Sequence, residues 1–495
     1  MSVDVTARRA GGVLLHLSSL PSPWGIGTMG QAARGFVDFL AQAGQSYWQL
    51  LPVCPTGYGN SPYQSPSSFA GNPYFIDLDE LARRGLLRGE EYRETDWGSQ
   101  VDRVDYGILY EKRYSLLRIA AQRFLETHSE DFGQFCAENA GWLEDHALFT
   151  AIKAEHRGAP WHSWVRGLRE RDGQALARFS AEHARDIAME KAVQYLFFDQ
   201  WRQLKAYANK KGISMIGDMP IYVSLDSVEV WAHRELFQLD KDGIPGEVAG
   251  CPPDGFSADG QLWGNPLFDW EGMATDNYAW WVSRVDHLCS LYDVVRLDHF
   301  RGLDAYYAVP SSNVDARGGR WRQGPGMDLL RAVEGRPLLA EDLGFLTPSV
   351  QQLLRESGYP GMKVLQFGFD SRDGDSGHLP HNYPEHCVAY SGTHDNDTIP
   401  GWLSSAREQD AAYAEAYLRL GREHPCWDAL CALWATGARL AVVQGQDLLG
   451  LGSESRMNTP GTLGDNWCWR AKQNSFTQEL GQKIREKMEL YGRIS

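Results

Sequence analysis

Residues 291–302 read LYDVVRLDHFRG. The β-branched pair Val294 and Val295 leads straight into Arg296, Asp298, His299 and Arg301. β-Branched residues favour a pleated strand. A strand that ends in a carboxylate between cations is either a buried structural ion pair or a chemical group set at a strand end. What the other strands end in decides between the two.

Seven further apolar runs read as strands: GVLLHLSSL (12–20), SYWQLLPV (46–53), ISMIGDMPIYV (213–223), RPLLAEDLG (336–344), KVLQFGF (363–369), HCVAYSGTHD (386–395) and RLAVVQGQDLLG (439–450). Their apolar residues are consecutive rather than alternating, which suits strands buried on both faces of a parallel sheet. Helical patterns lie between them. QAARGFVDFLAQAG (31–44) carries apolar residues at 36, 37, 39, 40 and 43 and stops at Gly44. SVQQLLRESG (349–358) and DALCALWATGARLA (428–441) read similarly. Eight strands alternating with helices predict one α/β domain over 1–495, a (β/α)8 TIM barrel. Two long gaps interrupt it. The stretch of about 80–212, between strands two and three, predicts a helical inserted subdomain. The stretch of about 224–290, between strands three and four, predicts a long ordered loop rich in Gly, Pro and aromatics.

In such a barrel, active sites form at the C-terminal strand ends. Strand three ends in Asp218; strand four in Arg296, Asp298 and His299; strand five in Glu341 and Asp342; strand seven in His394, Asp395 and Asp397. Clustered carboxylates raise one another's pKa, so a fold gains nothing by collecting them unless chemistry or a cation uses them. Three readings fit. Retaining glycosyl transfer needs one carboxylate as nucleophile and one carboxylic acid as acid/base. Arg296 lies two residues before Asp298, on the same side of a strand, and is expected to hold it ionised. Glu341, after Leu-Leu-Ala and before Asp342, suits an acid that keeps its proton. A metal site from Asp298, His299, His394 and Asp395 is the second reading, but it lacks H-x-H or H-E-x-x-H spacing and would place Arg296 beside the cation. The third, a carbohydrate-binding barrel without catalysis, needs the aromatics but not the acids.

Composition narrows the partners. Lys+Arg total 48 against 64 Asp+Glu, a net charge of −16, which disfavours nucleic acid and anionic membranes. No long apolar run predicts a membrane span or a signal peptide, so the cytoplasm is the expected location. The eight scattered cysteines form no C-x-x-C pair and are expected to be reduced thiols. The 18 Trp, 21 Tyr and 19 Phe supply an aromatic core, sugar-stacking surfaces, or both.

The chain resembles the amylomaltases, the 4-α-glucanotransferase family that includes the plant disproportionating enzyme, and more widely the α-amylase clan. The resemblance runs through LLHLSSLPSPWGIGTMG, YWQLLPVCPTGYGNSPYQSPSSFAGNPYFIDLD, IGDMPIYV, VRLDHFRG, LAEDLG, PGMKVLQFGFD, LPHNYP, GTHDNDT, LGSESRMNTPG and NWCWR. It implies Asp298 as nucleophile, Glu341 as general acid/base and Asp395 as the third carboxylate. Arg296 and His394 would stand beside the reacting sugar. Asp218, Ser61, Tyr63, Trp263 and Asn466 would make donor-side contacts. Tyr58 and Phe256 would line the glucan path, with His299 ambiguous between sugar contact and scaffold. Tyr58 and Tyr106 would form a secondary glucan site. No cofactor and no metal is implied, and a monomer or weak homodimer acting on α-1,4-glucans is expected. The sequence departs from the family where P-P-D-[YF]-F usually stands: Gly255 replaces an aromatic in Pro252-Pro253-Asp254-Gly255-Phe256. That departure is expected to weaken acceptor grip relative to water.

Overall fold

The computed structural model describes residues 5–127, 129–253, 258–344, 346–372 and 376–494, and for Tyr58 the backbone alone. Twelve strands in chain order are β1 (Ala10–Leu14), β2 (Tyr47–Gln49), β3 (Ser214–Met219), β4 (Glu247–Cys251), β5 (Gln261–Pro266), β6 (Val294–Leu297), β7 (Ala305–Pro310), β8 (Arg320–Gln323), β9 (Leu338–Ala340), β10 (Gly361–Val364), β11 (Cys387–Tyr390) and β12 (Leu440–Gln444). Eight of them form one parallel sheet in the order β10-β11-β12-β1-β2-β3-β6-β9. These are the eight apolar runs of the sequence, and each core strand is shorter than its run. The parallel pattern explains the lack of alternation, since both faces are covered and β12 is buried along its whole length.

The two ends of that order meet. Ala340 N–H donates to Pro360 O at 3.0 Å. Asp342 Oδ1 accepts from Met362 N–H at 2.6 Å. A side-chain carboxylate thus stands in for a ladder bond and closes the (β/α)8 barrel. Gly361 makes this possible, because a Cβ there would lie 2.7 Å from Asp342 Oδ1.

The outer helices follow their sequence patterns. Gln31–Gln42 buries Ala33, Phe36, Val37, Phe39 and Leu40 on one face. Phe36 packs edge-on against Trp48 of β2 at 5.1 Å and against Phe476 at 4.8 Å. Pro348–Ser357 stops at Gly358 in the left-handed conformation, a C-terminal cap only glycine takes without strain. Trp48, Trp161, Trp201, Trp231 and Trp434 are among the largest fully buried side chains, so core packing absorbs much of the tryptophan surplus. All eight cysteines are free. No helix among the described residues is long and apolar enough to cross a membrane.

Between β2 and β3 the chain runs through helices that include Tyr114–Leu125, Ala140–Glu155 and the 27-residue Ala184–Lys210. The last of these fixes the loop after β2 with two glutamines. Gln194 accepts from Gly71 N–H at 2.8 Å and donates to Gly71 O at 3.1 Å. Gln200 makes the same pair with Asp77, at 2.7 and 3.2 Å. Each amide mimics a neighbouring peptide and satisfies backbone groups that a buried loop would otherwise leave unpaired.

The stretch read as a long aromatic loop contains strands instead. β4 and β5 join β7 and β8 in an antiparallel sheet of order β5-β4-β7-β8. Glycines, prolines and a register shift between Val248 and Gly250 break the alternation that would have marked these strands.

Replacing Gly361 with Ala should force Asp342 off Met362 N–H and crowd the closing seam. Overpacking of this kind costs roughly 1–3 kcal/mol. A lowered urea midpoint with an unchanged m-value would report it. An unchanged midpoint would mean that the seam tolerates the methyl group.

Candidate active site

Register assembles the site at the C-terminal rim. Asp218 on β3 pairs with Arg296 on β6, and Met219 pairs with Leu297. Side chains paired across neighbouring strands point the same way. Arg296 Nη1 therefore donates to both Asp218 oxygens at 2.7 Å. The same nitrogen reaches Asp298 Oδ1 at 3.2 Å. On the other side, Leu297 pairs with Ala340 of β9. Asp298 and Glu341 are the next residues on these two strands. Adjacent strands lie about 4.8 Å apart, so the two side chains leave neighbouring strand ends one ladder step beyond a paired position.

The turn after Asp298 serves Glu341. His299 has φ +48°, left-handed for a non-glycine residue. Holding a residue there costs on the order of 1–3 kcal/mol. The turn aims His299 N–H at Glu341 Oε2, 2.6 Å away, while Leu343 N–H donates to Oε1 at 3.1 Å. Phe300 N–H donates to Glu341 O at 3.0 Å and Glu341 N–H to Leu297 O at 2.9 Å. Gly302 lets the following turn pass, since a Cβ there would meet Ile221 Cδ1 at 2.7 Å and His299 Cδ2 at 2.9 Å.

The electrostatics correct one expectation. Arg296 was expected to hold Asp298 well ionised, but it gives its two shortest bonds to Asp218. Burial is the largest influence on Asp298. Burial and the charges of Asp218 and Asp395 push its carboxyl up, against the pull of Arg296. Glu341 is also pushed up, by burial first and then by Asp298, against Arg296 and its two N–H donors. Both carboxyls thus titrate above the usual range. The cation touches Asp298, so Asp298 is the one that ionises first.

The other rim residues differ in reach. Tyr63 stacks on His394 at 4.9 Å and donates its hydroxyl to Asp218 Oδ2 at 2.8 Å. Burial lowers the pKa of His394, against the opposing charge of Asp395. His394 Nε2 lies 3.4 Å from Asp395 Oδ1. Trp263 of β5 meets the His299 ring edge-on at 4.9 Å. Burial lowers the pKa of His299 to about 3, so its ring is neutral. Ser61 Oγ accepts from Tyr63 N–H at 3.2 Å and shapes that loop. Asn466 bonds Thr459 N–H and Thr462 within its own loop. Tyr106 donates to Trp467 O at 3.1 Å, and the Trp467 ring tilts against His394 at 5.7 Å. Phe256 and Gly255, like the side chain of Tyr58, lie outside the described residues. Among the described residues, no three His, Cys, Asp or Glu groups gather as a metal would need.

Two acidic residues at the rim hold scaffold instead. Asp342 closes the barrel. Asp397 accepts from Ser453 Oγ at 2.6 Å and Thr398 N–H at 2.8 Å. Sequence reasoning passed over Asp447, buried after β12, which accepts from Ser391 Oγ and Ile399 N–H at 2.7 Å each. It also passed over Trp467, a buried aromatic at φ +65°. Asp447, followed at once by Leu448 and Leu449 inside its apolar run, and a tryptophan in a loop carry no signal that separates them from ordinary core.

Comparison with known proteins places this geometry. A family profile described as 4-alpha-glucanotransferase matches residues 15–475. The chain belongs to the 4-alpha-glucanotransferase family. It is 47% identical to the 4-alpha-glucanotransferase of Thermus thermophilus over 504 residues, covering 98% of this chain and 99% of that one. It is 43% identical to that of Clostridium butyricum over 486 residues, covering 97% of this chain and 100% of that one. The structure superposes on an amylomaltase from Streptococcus agalactiae, solved in complex with acarbose, with a TM-score of 0.96 at 40% identity over 99% of this chain and 100% of that one.

The charge arrangement predicts a bell-shaped kcat/KM profile. With Asp298 as nucleophile, the acid limb would report loss of its ionised form as pH falls. With Glu341 as acid, the alkaline limb would report loss of its proton as pH rises. Arg296→Met removes the cation while burial remains. Asp298 then binds its proton more tightly, and the acid limb should move to higher pH by about one unit or more. An acid limb that stays in place would show that Arg296 does not set this ionisation.

Proposed function

We infer that this chain is a retaining 4-α-glucanotransferase that moves α-1,4-glucan segments from a donor oligosaccharide or starch chain to the 4-hydroxyl of an acceptor. The observation that carries the reading is the register-matched pair Asp298 and Glu341, with Arg296 against the first and two backbone N–H groups on the second. Glu341 protonates the glycosidic oxygen while Asp298 attacks the anomeric carbon from the opposite face. The reducing-end portion leaves, and the donor stays as a glycosyl ester on Asp298. Glu341 then takes a proton from the incoming hydroxyl, which displaces the carboxylate and restores the α-link. An acceptor chain gives disproportionation, the donor's own far 4-hydroxyl gives a cyclic glucan, and water gives hydrolysis. A bound acceptor outcompetes water because its hydroxyl is held at high effective concentration.

In this reading Asp395 and His394 hold sugar hydroxyls at the reacting ring. Tyr63, Ser61, Trp263 and Asn466 line the donor side, and Tyr58 and Tyr106 offer a surface foothold for longer glucans. The chain works without cofactor, in the cytoplasm, as a monomer or weak homodimer.

Incubation with maltotriose should yield glucose and a ladder of longer oligomers. Asp298→Asn should form no trappable glycosyl-enzyme. Glu341→Gln should lose maltotriose turnover yet keep reacting with a donor whose leaving group needs no proton. Wild-type disproportionation by Glu341→Gln would overturn the acid/base assignment. Glucose alone, with no longer products, would overturn transfer in favour of hydrolysis.

A further inference from the structure

Asp395 stands apart from the other carboxylates at the mouth. Its side chain is 46% exposed, against 23% for Asp298 and 1% for Asp218. A half-exposed carboxylate on a loop rotates unless something fixes it, yet stabilising a transition state needs its oxygens fixed in advance. The segment Arg456–Asn458 supplies the constraint. Asn458 Nδ2 donates to Asp395 Oδ1 at 2.6 Å. Asn458 N–H donates to His394 O at 3.1 Å. The Arg456 guanidinium bonds Asp395 O through Nη2 and Asn458 O through Nε, the latter at 2.8 Å. Two backbone segments more than sixty residues apart are thus locked together around one carboxylate. Among the described residues, no hydrogen bond reaches Asp395 Oδ2, which leaves that oxygen for a ligand.

We propose that Asn458 is a positioning residue that fixes the rotamer of Asp395 and presents its Oδ2 to the substrate, with Arg456 holding the backbone of both. The inference rests on the reading of Asp395 as the third carboxylate of the transfer site. The choice of an amide is chemically specific. Asn458 donates to an anion but carries no charge and does not titrate, so the bond persists at every working pH. The charged and titratable groups facing Asp395 are His394 from its own loop, Arg456 beside Asn458, Asp298 from β6 and Tyr63 from the β2 loop. Of these, His394 lies 3.4 Å from Oδ1, and the Arg456 guanidinium bonds the backbone oxygen rather than the carboxylate.

The test compares Asn458→Ala, Asn458→Asp and Asp395→Asn with wild type on maltotriose, as kcat and KM across pH, with thermal melts to check folding. Loss of a bond to a charged group is worth roughly ten- to hundred-fold. Asn458→Ala should lose that factor in kcat with KM little changed, evenly across pH. Asn458→Asp tests the donor itself. At acid pH the introduced carboxylic acid keeps its proton, donates it to Asp395 and restores activity toward wild type. As pH rises the two carboxyls ionise and repel. The ratio of variant to wild-type kcat/KM should then fall by ten-fold or more. A constant ratio would show a merely structural role and overturn the proposal, as would wild-type kcat in Asn458→Ala. If Asp395→Asn itself keeps wild-type activity, the reading of the third carboxylate fails instead. If Asp395→Asn is inactive while both Asn458 variants match wild type, only the positioning role fails.

Discussion

One guanidinium organises the mouth of this barrel. The Arg296 side chain is 5% exposed and lies between Asp218 and Asp298. Taking a cation out of water costs several kcal/mol, recovered only with well-placed anions. Strand register provides them. Arg296 and Asp218 occupy paired positions on β6 and β3, and Asp298 lies two residues further on the same face. Without the cation, two carboxylates would stand together in a low-dielectric rim. With it, burial still raises the pKa of Asp298, but by less than burial alone would. Arg296 therefore joins fold and proposed chemistry, since the ion pair of LYDVVRLDHFRG includes the carboxylate proposed as nucleophile.

The same strands set the roles of the two carboxyls apart. Glu341 is held by peptide N–H groups, which are dipoles, whereas Asp298 is held by a full charge. Arg296 pulls on both carboxyls, but of the two it hydrogen-bonds only Asp298. This difference is what the proposed roles of acid for Glu341 and nucleophile for Asp298 require near neutrality. The strain at His299 belongs to this division. Its left-handed backbone turns the chain out of β6 and, in the same step, aims an N–H at Glu341. The His299 peptide thus bonds Glu341 directly.

The barrel was legible because two-sided burial writes itself as unbroken apolar runs, and all eight runs became strands. The carboxylates at the rim were legible because polar residues directly after such runs violate local expectation. Features that depend on distant partners were not. Nothing in PGMKV marks Gly361 as the seam beside Asp342, because the approach exists only once β9 and β10 meet. The small sheet was hidden because β4 and β5 are laced with Gly and Pro, and β8 reads Arg-Trp-Arg-Gln, which resembles an exposed loop. The ionisation of Asp298 was misjudged for a related reason. Arg296 is visible two residues away, but Asp218, its stronger partner, is 78 residues upstream.

The two kinds of support at this mouth answer different demands. Asp298 and Glu341 sit directly on strand ends, where the sheet fixes position to within a ladder step. Asp395 lies five residues past β11, beyond what a ladder can enforce. A carboxylate at that distance needs a second segment to lock it, and Arg456–Asn458 meets it there. The same segment takes the Trp467 N–H on Met457 O, so the loop that packs an aromatic against His394 shares an anchor with the loop that carries Asp395. Position at the strand ends is thus a property of the barrel. Position further out is a property of paired loops, and sequence changes between family members can alter the latter without touching the former.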